Sequence, residues 1–167
     1  MVEVSIREFH VQDDLVELTH LIHAAYAQHA ASGRKYWATH QSVEDTASRF
    51  ASGLGYLVEI EEKVCGTVIL RPPQPDSEVE FYRQQGVWTL SQFCIDPKFQ
   101  GQGLGKKLHQ FVLEEAKQRG ATHLALDTAE SASGLIQTYQ DWGYRIVGNW
   151  DWRPKTNYLS VIMARPI

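Results

Sequence analysis

The stretch FCIDPKFQGQGLG, residues 93–105, constrains the fold of this chain more than any other. Three apolar residues stop at Asp96-Pro97, and Gly101, Gly103 and Gly105 then follow within five positions. Leu104, Leu108, Phe111, Val112 and Ala116 recur at helical spacing up to Gly120, with Lys117 and Arg119 suiting the helix C-terminus. The run therefore predicts a strand, a turn nearly free of side chains, and a helix. A helix start carries N–H groups without intrahelical partners and a partial positive charge. With no side chains in front of them, those donors can close on an anionic oxygen.

Two familiar phosphate-binding patterns do not fit. A P-loop needs Lys and then Ser or Thr after its last glycine, whereas Gly105 is followed by Lys106-Lys107. A dinucleotide fingerprint is G-x-G-x-x-G near the first strand; here it is G-x-G-x-G after the fourth predicted one. A tight turn without a ligand is the remaining plain alternative.

The rest of the chain supplies a frame for this turn. Val2, Val4 and Ile6 alternate with polar residues as in a half-buried strand. Asp13-Asp14 precede Leu15, Leu18, Ile22, Ala25 and Tyr26, a helix with acidic residues at its start. RKYWATHQS reads as an exposed loop, and a short helix begins at Ser42 and runs to about Gly53. YLVEIEE and VCGTVILR read as an antiparallel hairpin, and PPQPDSEVEFYRQQG, with three prolines, as loop. VWTLSQFCI, HLALDT, YRIVGNW and NYLSVIMA are strands, and GLIQTYQDW is a helix closed by Gly143. Seven strands and four helices in this order predict an α/β (α+β) mixed sheet with helices packed on it.

Length and charge narrow the class. A chain of 167 residues with 43% hydrophobic residues fits one domain, 1–167, with a core of its own. The net charge of −4 and the lack of any basic run give no support for a nucleic-acid or membrane-surface partner. No apolar run approaches ~18 residues, and MVEVSIREF is too polar for a signal peptide, so the expected location is cytoplasmic. Cys65 and Cys94 sit in apolar strands and are expected to be buried free thiols. His20, His23, His29 and His40 lack an accompanying cysteine or carboxylate cluster, so no metal site is expected. The acidic residues of DSEVEF read as a solvated loop.

QGQGLGKKL, preceded by a strand and Asp96-Pro97, resembles the acetyl-CoA signature Q/R-x-x-G-x-G/A of the GNAT superfamily of N-acetyltransferases, with Gln100, Gly103 and Gly105 filling it. YQDWGY at 139–144 resembles the family's tyrosine-x-x-x-glycine-aromatic block. The resemblance covers essentially the whole chain and is strongest over 88–147. It implies about seven strands in a mostly antiparallel sheet with about four helices on both faces.

It also implies acetyl-CoA as acyl donor, with the pyrophosphate over the N–H groups of Gln100, Gly101, Gln102, Gly103, Leu104, Gly105 and Lys106. The pantetheine arm would pair with the backbone of Phe93, Cys94 and Ile95. Tyr139 matches the family's general acid, with packing on the apolar face as its structural alternative. Ala132 stands where the family often has asparagine, and Ser131 and Ser133 are the candidate substitutes. VWTLSQFCI holds no carboxylate, which leaves the base unassigned. Gln92 or Ser91 placing a water and Asp127 are the candidates, with Asp127 read rather as a solvated strand end. The acceptor, a small-molecule or peptide amine, is expected among Tyr36, Trp37, Gln92, Trp150, Asp151 and Trp152. Dimers are common in the family, which makes a homodimer the assembly to test. A CoA-binding sensor without catalysis is the rival function.

Overall fold

A computed structural model describes residues 2–167. The seven strands are β1 (Val4–Glu8), β2 (Leu54–Ile60), β3 (Lys63–Arg71), β4 (Val87–Ile95), β5 (His123–Ala129), β6 (Arg145–Asp151) and β7 (Leu159–Pro166). The four helices are α1 (Leu15–Ala31), α2 (Val43–Ala51), α3 (Leu104–Gln118) and α4 (Ser133–Asp141). The strands form one mixed sheet in the order β1-β2-β3-β4-β5-β7-β6. Only β4 and β5 run parallel, because α3 carries the chain across one face between them.

Alternation along the strands sends side chains to two cores. Tyr56, Val58, Val68 and Leu70 pack under Leu104, Leu108, Val112 and Ala116 of α3 and Tyr139 of α4. The intervening Leu57 and Ile69 meet Leu18 of α1 and Phe50 of α2 on the other face. Local chemistry fixes the helix starts. Asp14 accepts from Val16 N and Glu17 N, and Ser42 and Asp45 form a reciprocal capping box. Asp13 instead pairs with Arg7 at 2.7 Å, and that hydrogen bond holds its carboxyl below the usual range.

One irregularity creates the site. The β3–β4 register shifts between Thr67 and Ile69, and Gln92 opposite the shift takes φ +50. Such a bulge bends its strand and ends regular pairing. β4 keeps its β5 partner only from Val87 to Thr89, against His123 to Ala125. Beyond these residues the two strands splay, and their exposed backbone and facing side chains border two hollows.

Two sequence expectations need correction here. RKYWATHQS is not simply exposed, since Tyr36 and Gln41 are buried and Trp37–Thr39 form a short 3-10 turn. The proline-rich loop contains another such turn, Glu80–Arg83, which buries Tyr82 against Val79 and Val87.

Candidate active site

The first hollow is a groove of about 940 Å³ along the outer half of β4. Phe93, Cys94 and Ile95 form one wall, and Gln100, Gly101, Gly103, Leu104, Gly105 and Lys106 form its end. α1 adds Tyr26, Gln28 and His29, and α4 adds Leu135, Thr138 and Tyr139. Gly103 is the N-cap of α3 and takes φ +75, while Gly101 takes φ +82; both lie in the region that strains other residues. No side chain caps α3, in contrast to α1 and α2. Among the described residues no protein group accepts from the N–H groups of 101–106. A Cβ added at Gly101 or Gly103 would meet nothing within 4 Å, so open space lies over these donors. This end of the groove can hold an anion with several backbone N–H groups at once. Gln102 is exposed and lies outside the groove lining.

The second hollow, about 250 Å³, lies between the inner half of β4, the outer half of β5 and the loops above them. Tyr36, Trp37, Arg49, Arg71, Tyr82, Gln92, Asp127, Trp152 and Lys155 are among its lining. Tyr26, Phe93, Leu135 and Tyr139 line both hollows, which therefore meet at these four side chains.

Polar contacts hold that junction. The Tyr26 hydroxyl donates to the Phe93 carbonyl at 3.0 Å, occupying an oxygen that the splay left without a strand partner. Thr67 Oγ1 donates to the carbonyl of bulged Gln92 at 2.7 Å, and Gln41 Nε2 donates to Gln92 Oε1 at 2.9 Å. Gln92 Nε2 is buried without an acceptor. The Tyr36 hydroxyl bonds Thr128 Oγ1 at 2.7 Å and accepts from Ala129 N at 3.2 Å, fixing the 36–41 loop onto β5. Burial raises the Tyr139 phenol far above its ordinary value, with the nearby Tyr36, Asp127 and Cys94 adding to the rise. Tyr139 therefore keeps its proton at neutral pH.

These residues belong to a recognisable family. The acetyltransferase (GNAT) family model matches residues 16–144. The chain belongs to the GNAT family. The ribosomal protein bS18-alanine N-acetyltransferase of Escherichia coli is 32% identical over 82 residues, 47% of this chain and 55% of that protein. The chain spans 39% to 55% of the length of the first curated relatives it matches. The crystal structure of the Escherichia coli ribosomal-protein-S18-alanine N-acetyltransferase superposes with a TM-score of 0.73 at 22% identity, covering 99% of this chain and 94% of that one. A GNAT acetyltransferase from Elizabethkingia anophelis with acetyl-CoA bound gives a TM-score of 0.69 at 18% identity, with 98% of each chain covered. The seven-stranded sheet with helices on both faces is thus the GNAT fold.

Within this GNAT chain, several residues stand elsewhere than their sequence implied. Asp151 is exposed and outside both hollows, because Arg153 claims it through bonds of 2.8 and 2.9 Å. Those bonds hold its carboxyl at about 2. Trp150 is also outside the cavity and packs edge-on against Trp152, 6.2 Å away, which does line it. β6 ends at Asp151, so Trp152 lies beyond the strand and is not bound to its alternation. Neither Ser131 nor Ser133 is among the residues that line the groove.

Asp127 is the largest change. It is not a solvated strand end but lines the cavity, where the Tyr82 hydroxyl donates to its Oδ2 at 2.6 Å. Loss of water raises its pKa, and hydrogen bonding from Tyr82 and Trp152 offsets part of that rise. It follows Ala125 on the core-facing side of β5, which was the available signal in HLALDT.

Both thiols are buried and neither is activated. Burial pushes Cys94 up to about 11, and Thr67 Oγ1 lies 3.4 Å from its sulfur. Cys65 is likewise raised by burial, to about 11. At pH 7 the Cys94 thiolate fraction is then about one in ten thousand, too small for a nucleophile. A disulfide reagent in excess is expected to label neither cysteine rapidly in the folded protein and both after denaturation. Fast stoichiometric labelling of the native chain would contradict this burial. No group of three or more His, Cys, Asp and Glu is placed to hold a metal among the described residues. Nor is any described helix long and apolar enough to cross a membrane.

Proposed function

We propose that this protein transfers an acetyl group from acetyl-CoA directly to the primary amine of a small molecule. The observation that carries the reading is the junction: a groove ending in free backbone donors meets a separate cavity at Tyr26, Phe93, Leu135 and Tyr139. A donor and an acceptor entering from opposite sides would meet there, which is the positioning that acyl transfer needs.

Bound acetyl-CoA supplies the activated acyl carbon and the thiol leaving group. The residues at the groove end fit it, since the uncapped N-terminus of α3 suits a pyrophosphate and Lys106 adds a positive charge. The backbone of Phe93 to Ile95 has no β5 partner and lines the groove, with Tyr26 already on the Phe93 carbonyl, which suits an extended arm laid alongside as an additional strand. Asp127 receives the acceptor's ammonium and removes its proton, so the nitrogen lone pair becomes free to attack the acyl carbon. As the new C–N bond forms and the C–S bond breaks, Tyr139 gives its hydroxyl proton to the departing sulfur. As the amide forms, the second proton of the attacking nitrogen passes to the Tyr139 phenolate and restores its hydroxyl, and the one net proton of the reaction, held by Asp127, leaves to solvent.

A volume of about 250 Å³ is that of roughly eight waters at about 30 Å³ each, which suits a small amine. The Escherichia coli relative is named for an alanine of a ribosomal protein, so a peptide amine is the competing acceptor. Tyr139→Phe keeps the ring packing but removes the acid. It is expected to lower kcat by about 10²–10⁴-fold while leaving acetyl-CoA affinity unchanged, read from thiol release and calorimetry. Unchanged kcat would remove Tyr139 from the mechanism. Saturable acetyl-CoA binding with no turnover on small amines or peptides would replace the enzyme by a CoA-binding module.

A further inference from the structure

The acceptor cavity is positive although the chain as a whole is negative. Its charged lining is Arg49, Arg71 and Lys155 against the single carboxylate Asp127, while the whole protein carries −4. Arg49 projects from α2 and Arg71 from the end of β3, and both also border a shallow side pocket with Trp37, Asp45 and Ser91.

Neither arginine has an ion-pair partner among the described residues, where the only bridges involve Arg7, Arg119 and Arg153. Arg49 Nη1 donates to a neutral acceptor, Gln41 Oε1, at 2.9 Å. Arg71 Nε is buried and donates to nothing. The nearby carboxylates hydrogen-bond elsewhere, Asp127 with Tyr82 and Asp45 in the capping box with Ser42, and the charge of Asp127 offsets part of the cost at Arg49 from a distance. Desolvation lowers the pKa of both guanidinium groups, and the charge of Arg71 lowers that of Arg49 further. Two mutually repelling, under-bonded guanidinium groups at one cavity wall are costly in the empty protein. A planar oxyanion that accepts from both removes that cost, and the guanidinium fork matches a carboxylate in shape.

We propose that Arg49 and Arg71 bind a carboxylate on the acceptor, so that the substrate is a small amino-carboxylate. This rests on the transferase reading for the role of the amine, but the anion site stands on the arginines alone. Asp127 then faces the ammonium end and the arginine pair the carboxylate end, an arrangement that also excludes plain cationic amines by repulsion.

The test uses free α-amino acids, their amides and the corresponding decarboxylated amines as probes. Thiol release should give kcat/KM for at least one acid about 100-fold above its amide, in line with the loss of a desolvated charge contact. Arg71→Gln and Arg49→Gln should each erase most of that ratio by lowering turnover of the acid, with acetyl-CoA affinity intact. Amides or decarboxylated amines used as well as the acids would overturn the inference while leaving the transferase standing.

Thermal melting provides the readout independent of turnover. Arg71→Met should melt about 2–4 °C higher than wild type without ligand, since a half-buried guanidinium with an unpartnered Nε has gone. It should also lose any upshift that the amino acids give wild type. If no probe is acetylated but the acids alone raise the wild-type melting temperature, the anion site stands and the transferase reading fails. A lower melting temperature for Arg71→Met, or no acid-specific upshift and no acid-specific turnover, would overturn the proposal.

Discussion

Replacing Asp127 with asparagine is expected to cost turnover and add stability at the same time. The carboxylate lines the acceptor cavity, accepts from Tyr82 at 2.6 Å, and has a pKa raised first by desolvation. In the base role proposed for it Asp127 must be ionised, so kcat/KM should fall as pH drops through a value above the ordinary 3.8 of an aspartate. The substituted amide can still accept from Tyr82 but cannot take a proton, and a lost general base is worth about 10²–10⁴-fold in kcat. The variant's residual rate should climb with pH, because only the fraction of acceptor already deprotonated can react.

Stability moves in the opposite direction. A carboxyl whose folded pKa lies above its unfolded value binds more protons when folded, so folding loses stability as pH rises through the folded pKa. At neutral pH Asp127 is thus a net cost, and Asp127→Asn should melt higher than wild type there. The difference should shrink as pH falls below that pKa. Wild-type kcat in the variant would exclude Asp127 as the base. A lower melting temperature at pH 7 would show that the charge stabilises the fold rather than straining it.

This pairing of cost and use explains what the sequence disclosed and what it withheld. The element order was readable because periodicity and Gly or Pro punctuation are local: β4, the glycine turn and α3 can be read from residues 87–120 alone. The donor side follows from the same stretch, since a helix start without a cap is a property of one segment. The acceptor side is different. Arg49, Arg71, Tyr82 and Asp127 come from α2, β3, a 3-10 turn and β5, and each looks in sequence like an ordinary solvated position. They converge because a single bulge at Gln92 splays β4 from β5, and nothing in VWTLSQFCI marks that residue for positive φ. Gln92 does carry one sign of the event, a buried amide nitrogen left unpaired beside the cavity. Asp151 shows the converse error: its type suited an ammonium, but Arg153 two residues on takes it to the surface.

Gly103→Glu is expected to abolish acetyl-CoA binding while the protein still folds. A side chain at this position has room, since a Cβ there meets nothing within 4 Å. The strain comes from φ +75, which a non-glycine residue occupies at about 1–2 kcal/mol. For a chain of this length that corresponds to a melting temperature lower by roughly 2–8 °C. The effect on binding is larger. The glutamate places a negative charge over the uncapped start of α3, where the groove otherwise offers N–H donors and a positive dipole end to an anion. Losing two hydrogen bonds to a charged ligand at about 1.5–3 kcal/mol each gives a 10²–10⁴-fold rise in Kd. Gly103→Ala separates the two contributions, because it carries the same backbone strain without the charge. Its melting temperature should match that of the glutamate variant, and its Kd should stay near wild type. Calorimetric titration of acetyl-CoA into all three proteins decides the matter. Equal affinity for wild type and Gly103→Glu would mean that the pyrophosphate does not lie over this turn, and the groove would then need a different occupant.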